Sequence, residues 1–406
     1  GKRYSEDDGV TDLLLDLAQT KDNSALEKIV GRYQEIFPKQ KRNLFLLEND
    51  IENALNNSEN PFYIDYMASR GEYWMAKMGA EDLGAEFINA EEMFDVQGNS
   101  GHGKVLNSSY EKIKDRLKGP KADVISREIA LIPGFFGRNS EGNILTFDRG
   151  GTDLTGSCVA AAISAEVYEN FTDGPILAAD PKFVENPRKI NQMTYTEIRD
   201  LAYSGFNILQ EDAMIPVSES GVPIHVRSTK DYPEEGTWIT NERLANDENT
   251  AVGVAYMGGL CAFDMDCFGL NSIIGVLGNA GKKLAENNIS IEFPTAGIDD
   301  MSFIVRKKYL ENKNPHFVSD VLKDLEDTVG IGTNVDFREG LGALVVAGKN
   351  LRGNRGIAAR IQQTLADNRI NLKFISQGPN ERSIVYGIDE NDSKLAVNAI
   401  YEKYVK

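Results

Sequence analysis

The sequence predicts an α/β protein: a mostly parallel sheet covered by helices, entered through a helical segment and followed by two small α+β modules. Three observations carry this. Residues 10–120 place apolar residues at three- and four-residue steps. From residue 124, short apolar runs alternate with helical patterns, as strands joined by crossover helices do. From about residue 240 the chain repeats itself at an offset of 81 residues.

In chain order, "VTDLLLDLAQT" and "SALEKIVGRYQEIF" read as amphipathic helices. "NPFYIDYMASRGEYWMAKMGAEDLGA" continues the pattern, and its Ser-Arg-Gly predicts a turn into a helix over 72–83. "EFINA" reads as a short strand. "VISREIALIPGFFG", the turn "RNSEGN" and "ILTF" give strand, turn and strand. "DLTGSCVAAAISAEV" is a helix rich in small residues, able to lie close on a sheet. "YENFTD" is a strand, "TYTEIRDLAYSGFNIL" a helix running into a strand, and "VPIHVRST" a strand. This region is expected to end near 240, giving a first domain over 1–240.

The repeat sets "LAENNISIEF" (284–293) over "LADNRINLKF" (365–374). In the same register Gly275 meets Gly356, Gly297 meets Gly378, Ser302 meets Ser383, and "LCAFDMDCFG" falls on "LGALVVAGKN". Each copy reads strand, glycine-bearing turn, helix, strand, turn, strand. The expected modules are 241–330 and 331–406, packed as a pair.

Composition narrows the functions. The 406 residues carry a net charge of −18, which argues against a general nucleic-acid or anionic-membrane partner. An anionic substrate must then be held by a few placed cations, helix N-termini or a metal ion. Three cysteines, none in CxxC spacing, make a disulfide framework or zinc site unexpected, and no protein metal site is predicted; a reducing cytoplasm fits. No run of 18 apolar residues and no signal peptide is visible. The start, "GKRYSEDDG", lacks Met, so an earlier natural start is expected.

The stretch "TFDRGGTD" holds the densest chemistry. Gly150 and Gly151 let a ligand approach the backbone. The helix beginning near Asp153 points its N-terminus at the same spot, and Arg149 adds a planar fork suited to a carboxylate. The alternative is a plain strand-to-helix turn capped by Thr152 or Asp153. "PGFFG" places a turn at a strand's carboxyl end, where open α/β sheets bind ligands. "ASRGE" puts Glu72 at a helix start, either to bind an ammonium or to favour the dipole. "FTDGPILAADPKF" puts Thr172 and Asp173 at a strand end, as phosphate and ribose contacts or as turn residues. Walker, protein-kinase and GxGxxG patterns are absent. Cys158 reads as a small core residue, and His102, His225 and His316 as surface or core residues.

These residues in this order resemble the aspartate kinases of the amino acid kinase superfamily. The family pattern P-G-F-x-G, T-x-x-R-G-G-S-D, T-D-x-x-G-x-x-x-x-D-P is matched by "IPGFFGRNSEGNILTFDRGGTDLTGS" and "FTDGPILAADPK"; "SRGE" matches S-x-G-E. The repeat, with "INLKFISQGPNERSI", resembles the tandem ferredoxin-like ACT domains of this family. The resemblance covers nearly the whole chain. It implies an amino acid kinase fold and transfer of the ATP γ-phosphoryl to the side-chain carboxylate of L-aspartate, with Mg²⁺ neutralising the phosphates, as the first step of lysine, threonine and methionine biosynthesis. It implies that Arg149 grips the α-carboxylate, Glu72 receives the amino group, and Gly150, Gly151 and Thr152 line the substrate site. Asp153 would organise the catalytic cations, and Thr172, Asp173, Leu177, Lys182 and Asn207 would bind ATP. It further implies a lysine or threonine effector on the first module, at the turn before its helix (Gly278, Asn279, Ala280) and the strand after it (Ile291, Glu292), and a homodimer through the ACT pair.

The chain departs from the pattern in places. The family's K-[FY]-G-G-[ST]-S segment, whose lysine contacts the transferring phosphoryl, is absent; by comparison with the family about thirty residues are missing upstream, so the chain as printed is expected to be catalytically poor. Asp148 stands where Gly or Ser is usual, the "TDG" loop is a residue short, and Asn207 and Gln210 replace Lys and His of many members. No homoserine dehydrogenase region follows Lys406, so a monofunctional enzyme is expected. Two other readings stay open: a kinase for another acid such as glutamate or acetylglutamate, and a catalytically decayed amino-acid sensor.

Overall fold

A computed structural model describes residues 8–118, 129–147, 151–205, 209, 211–230, 232–243, 250–330 and 333–406. The chain divides into two compact units, Gly1–Phe171 with Leu209–His225, and Thr172–Ile208 with Val226–Lys406.

The first unit opens with four helices: α1 (Val10–Thr20), α2 (Asn23–Ile36), α3 (Lys41–Asn56) and α4 (Tyr63–Leu83). Their apolar stripes meet in one core, with Leu14 and Leu17 of α1, Ile29 and Tyr33 of α2, Leu47 and Ile51 of α3, and Met67 and Trp74 of α4. Each such aliphatic side chain contributes about 1.5–3 kcal/mol by leaving water. The Ser-Arg-Gly turn predicted before residue 72 does not form, because α4 runs unbroken through it. A Cβ at Gly71 would stand 3.2 Å from Cγ1 of Val10, so the glycine lets α1 and α4 close together. That packing outweighs the roughly 1 kcal/mol that glycine costs a helix interior. Glu72 therefore stands in mid-helix, and the helix-start reading of this residue is wrong.

Strand β1 (Glu86–Phe87), the hairpin β2 (Val96–Asn99) and β3 (His102–Val105), and α5 (Ser108–Leu117) follow. The hairpin interrupts a stretch expected to be mostly helical. One buried carboxylate explains its place. Asp65 of α4 accepts from Ser100 Oγ, from Gly101 N at 2.9 Å, and from Thr146 N and Oγ1 at 2.7 Å each. It thereby ties the hairpin turn and a later strand to α4. Next come β4 (Ala130–Leu131), parallel to β1, then β5 (Phe136–Arg138) and β6 (Ile144–Thr146), antiparallel to each other, then α6 (Gly151–Ala162). Cys158 of α6 is buried as expected, and burial pushes its thiol up to about 11.

β7 (Tyr168–Thr172), β8 (Gln192–Thr194), α7 (Tyr195–Tyr203), α8 (Glu211–Ser220), β9 (Ile224–Ser228) and β10 (Thr237–Thr240) come next. The four strands order β7-β9-β10-β8. Tyr168 N donates to Pro223 O and Thr229 N to Thr172 O, so β7 and β9 run in the same direction; β10 and β8 are parallel as well. Thr194 and Glu197 form a capping box that starts α7.

The repeat is visible in the second unit. β11 (Gly253–Asp266), α9 (Val276–Glu286), β12 (Ile291–Ala296), β13 (Asp300–Arg306) and α10 (Phe317–Val329) make the first module. β14 (Asn334–Ala347), α11 (Ile357–Asp367), β15 (Phe374–Ser376), β16 (Ser383–Asp389) and α12 (Ser393–Ile400) make the second. They share one six-stranded sheet, β12-β13-β11-β14-β16-β15. β11 and β14 pair antiparallel from Gly253 on Ala347 to Asp266 on Asn334. The register slips midway, near Gly259 and Gly340, equivalent residues at φ 67° and 76° that only glycine adopts cheaply. The centre of the sheet is thus a symmetric pairing of the two copies. Phe263, Phe303, Val321 and Leu325 fill the core of the first module.

Candidate active site

Between β6 and α6 lie residues 148–150. Asp148, Arg149 and Gly150 are outside the described residues, as are Asn207 and Gln210. The described residues on either side belong to the first unit. The "PGFFG" turn folds onto the start of α6. A Cβ at Gly134 would lie 2.9 Å from Cα of Thr152, and a Cβ at Gly151 would lie 2.9 Å from Cβ of Phe147. Phe135 N donates to Thr155 Oγ1 at 3.1 Å, Thr155 Oγ1 donates to Gly151 O at 2.9 Å, and Phe147 N donates to Phe135 O at 2.8 Å. Phe135 holds φ at 81°, a strained value for a bulky residue, sustained by these bonds. Two motifs separated in sequence are thus one backbone surface, ending at exposed Thr152 and half-buried Asp153.

Asp153 sits in the first turn of α6. Burial raises its carboxyl above the usual range, and a hydrogen bond donated by Asn170 Nδ2 at 3.0 Å works against that rise. Burial likewise raises the carboxyl of Glu72. Among the described residues no hydrogen bond or ion pair reaches that carboxylate, which leaves it suited to a ligand's ammonium. Tyr33 Oη donates to Gly71 O at 2.5 Å and steadies α4 beside it.

Sequence reading missed Arg70. Its buried guanidinium stacks on Tyr66 and Tyr73, 4.1 and 4.6 Å from the ring centroids, and lies 5.8 Å from Phe136 of β5. Asp50 at 3.6 Å and Glu91 at 3.9 Å supply counter-charge. It joins α4, two residues before Glu72, to β5, whose Phe136 is itself part of "PGFFG". The signal was available: an Arg flanked at three- and four-residue helical steps by Tyr66 and Tyr73.

In the second unit, Thr172 ends β7 beside Thr229, whose N–H and Oγ1 both donate to its carbonyl, at 2.8 and 3.1 Å. Asp173 and Lys182 are exposed and Leu177 is half-buried. Lys182 N donates to Asp180 Oδ1 at 2.8 Å. Exposed Lys230, not singled out in the sequence, follows Thr229 just past the end of β9; strand ends of this kind are where open α/β sheets bind ligands.

In the first module, Gly278, Asn279 and Ala280 do not form the turn before the helix. Gly275 at φ 84° ends that turn, α9 starts at Val276, and Ala280 is in the core. Ile291 and Glu292 open β12 as expected. The Glu292 carboxylate, however, is held within the chain by Arg306 Nε at 3.0 Å and by Tyr203 Oη.

Two surface clefts of the first unit, about 380 and 610 Å³, are lined by residues such as Asp50, Asn53 and Arg138, and by Asp95, Gln97 and Asn139; neither is lined by Glu72 or the start of α6. Among the described residues no helix is long and apolar enough to cross a membrane.

The Amino acid kinase family profile matches residues 8–228, more than half the chain, and an ACT domain profile matches 344–404. Aspartokinase 3 of Bacillus subtilis (strain 168) is 32% identical, over all of this chain and 90% of its own length. The chain belongs to the aspartate kinases of the amino acid kinase family. The solved aspartate kinase of Clostridium acetobutylicum aligns with all of this chain and 91% of its own at TM-score 0.84 and 30% identity. E. coli aspartokinase III, solved with aspartate and ADP, aligns over 98% of this chain and 91% of its own at TM-score 0.75; at 19% identity that likeness shows the shared fold. The same enzyme has been solved with lysine and aspartate. This aspartate kinase thus joins an amino acid kinase fold to ACT modules, and its activity is aspartate phosphorylation under allosteric control.

Proposed function

We propose that the chain transfers the γ-phosphoryl of Mg·ATP to the side-chain carboxylate of L-aspartate, giving 4-phospho-L-aspartate and ADP, the first step of lysine, threonine and methionine biosynthesis, in the cytoplasm. The observation that carries this reading is the "PGFFG" turn seated on the start of α6. A carboxylate oxygen attacks the γ-phosphorus in line while the bond to the β-phosphate oxygen breaks. The acceptor is already ionised, so positioning and charge neutralisation supply the rate. Arg149 holds the α-carboxylate and Glu72 the ammonium, while Gly150, Gly151 and Thr152 let the substrate meet backbone N–H groups. Asp153 organises the cations around the transferring group. Thr172, Asp173, Leu177, Lys182 and Asn207 hold the nucleotide, with Mg²⁺ carried on its phosphates.

The catalytic region is read as 1–240 and the regulatory modules as 241–330 and 331–406. An amino-acid effector, lysine or threonine, binds the first module around the exposed Gly278 and Asn279 of α9 and around Ile291 and Glu292 of β12, with Ala280 behind them in the core. A second copy of the chain covers the exposed apolar side chains of that module. Phe268 and Ile274 are 95% and 97% exposed, whereas their equivalents in the second module are Lys349 and Arg355.

The test is ADP release by the natural full-length protein with Mg·ATP and, in parallel, aspartate, glutamate and acetylglutamate. Turnover only with aspartate is expected, and Arg149→Ala should raise the aspartate KM and cut kcat/KM strongly. Lysine or threonine binding by calorimetry without any turnover would replace this reading with the sensor.

A further inference from the structure

Strand β7 places a polar pair against the start of α6 that has no part in the scheme above. Asn170 is 9% exposed. A buried amide in a strand is costly unless its protons are bonded, and here both are used. Asn170 Nδ2 donates to Asp153 Oδ1 at 3.0 Å and to Tyr168 Oη at 3.2 Å. The Tyr168 hydroxyl then donates to the backbone carbonyl of Asp153 at 3.3 Å. One strand thus grips the same residue twice, by its carboxylate and by its main chain. The Tyr168 ring cannot retreat or slide, since it fills the space at Gly156, where a Cβ would lie 2.8 Å from the ring.

We propose that Asn170, supported by Tyr168, is the positioning residue that fixes the Asp153 carboxylate for phosphoryl transfer. This rests on the reading of Asp153 given above. An aspartate in the first turn of a helix has two free side-chain torsions; the Asn170 amide fixes the outer one, and the Tyr168 hydroxyl fixes the backbone that carries it. Neither residue need touch aspartate or nucleotide. Their effect is on the geometry of the reacting charges, where small misplacements are costly.

Steady-state kinetics of the full chain tests this with Asn170→Leu and Tyr168→Phe. In Asn170→Leu, kcat should fall roughly tenfold or more, while KM for aspartate and for ATP stays within about twofold and the melting temperature holds. Tyr168→Phe, which keeps the ring, should fall between this variant and wild type. Loss of stability with kcat unchanged, or a rise in KM alone, overturns the proposal. A second readout does not depend on turnover. The ¹³C carboxyl resonance of Asp153, assigned by its loss in Asp153→Asn, should shift in Asn170→Leu; an unmoved resonance overturns the contact. If wild type lacks aspartate kinase activity while this resonance does shift, the functional reading fails and the Asn170–Asp153 contact stands.

Discussion

Tyr203, the last residue of α7, donates its hydroxyl to Glu292 in β12. Arg306 closes the contact, bonding Glu292 at 3.0 Å and the Tyr203 carbonyl at 3.2 Å. At the other end of α7, Glu197 accepts the backbone N–H of Lys349 at 2.6 Å. One short helix is thus fastened to the first module at its end and to the second at its start. An effector that moves β12 has a physical lever on α7.

Tyr203→Phe should therefore loosen regulation and spare catalysis. Effector inhibition curves are expected to shift about fivefold, with uninhibited kcat within about twofold, matching a coupling near 1 kcal/mol. Superimposable curves for variant and wild type would detach α7 from control.

Glu197 carries a heavier structural load. Its carboxylate also accepts from Arg243 Nη2 at 2.6 Å and from the Thr194 backbone N–H at 2.9 Å, almost fully out of water. Glu197→Ala takes the acceptor from two backbone N–H groups and one carboxylate contact from Arg243, so urea unfolding should show a loss of about 1–3 kcal/mol. Glu197→Gln, which keeps acceptor and shape, should lose clearly less.

Glu72 gives a pH signature with a definite sign. Burial raises its carboxyl in the folded chain, so folding favours the protonated form. That stability is complete below the unfolded pKa and is lost as pH rises through the folded one. Glu72→Gln should raise Tm relative to wild type at about pH 8, and the gain should fade toward about pH 4. Aspartate KM should rise in the same variant. Calorimetric scans at both pH values check the first claim; a pH-independent difference in Tm would refute it.

Gly134→Ala tests the contact between the two motifs. The new methyl would meet the Thr152 backbone, which cannot swing aside as a side chain can. A stability loss of about 1–3 kcal/mol is expected from overpacking. A fall in kcat/KM for aspartate beyond that explained by unfolding is also expected, read from activity against folded fraction by circular dichroism.

Much of the fold was legible because it rests on local periodicity. The apolar steps of "VTDLLLDLAQT" became α1, and the 81-residue register became two modules, down to equivalent glycines at Gly275 and Gly356. The errors have a common physical source. Gly71 looked like a helix stop, because its contact with Val10 comes from another helix. Gly278 to Ala280 looked like a turn, because the positive φ that ends the turn lies at Gly275, three residues earlier. The β2–β3 hairpin hid in a helical region because Asp65, far away in the chain, anchors its turn.

By itself, the amino-acid order determined the family, the tandem modules and most residues proposed to act, since these depend on residue type at short spacing. Only the tertiary structure decided which side chains serve them. Asn170 on Asp153, Arg70 between its tyrosines and Glu292 clasped by Arg306 and Tyr203 are meetings of distant elements. Such contacts arise because buried amides, charges and hydroxyls must find partners when water is excluded, and which partner is within reach depends on packing rather than on spacing along the chain.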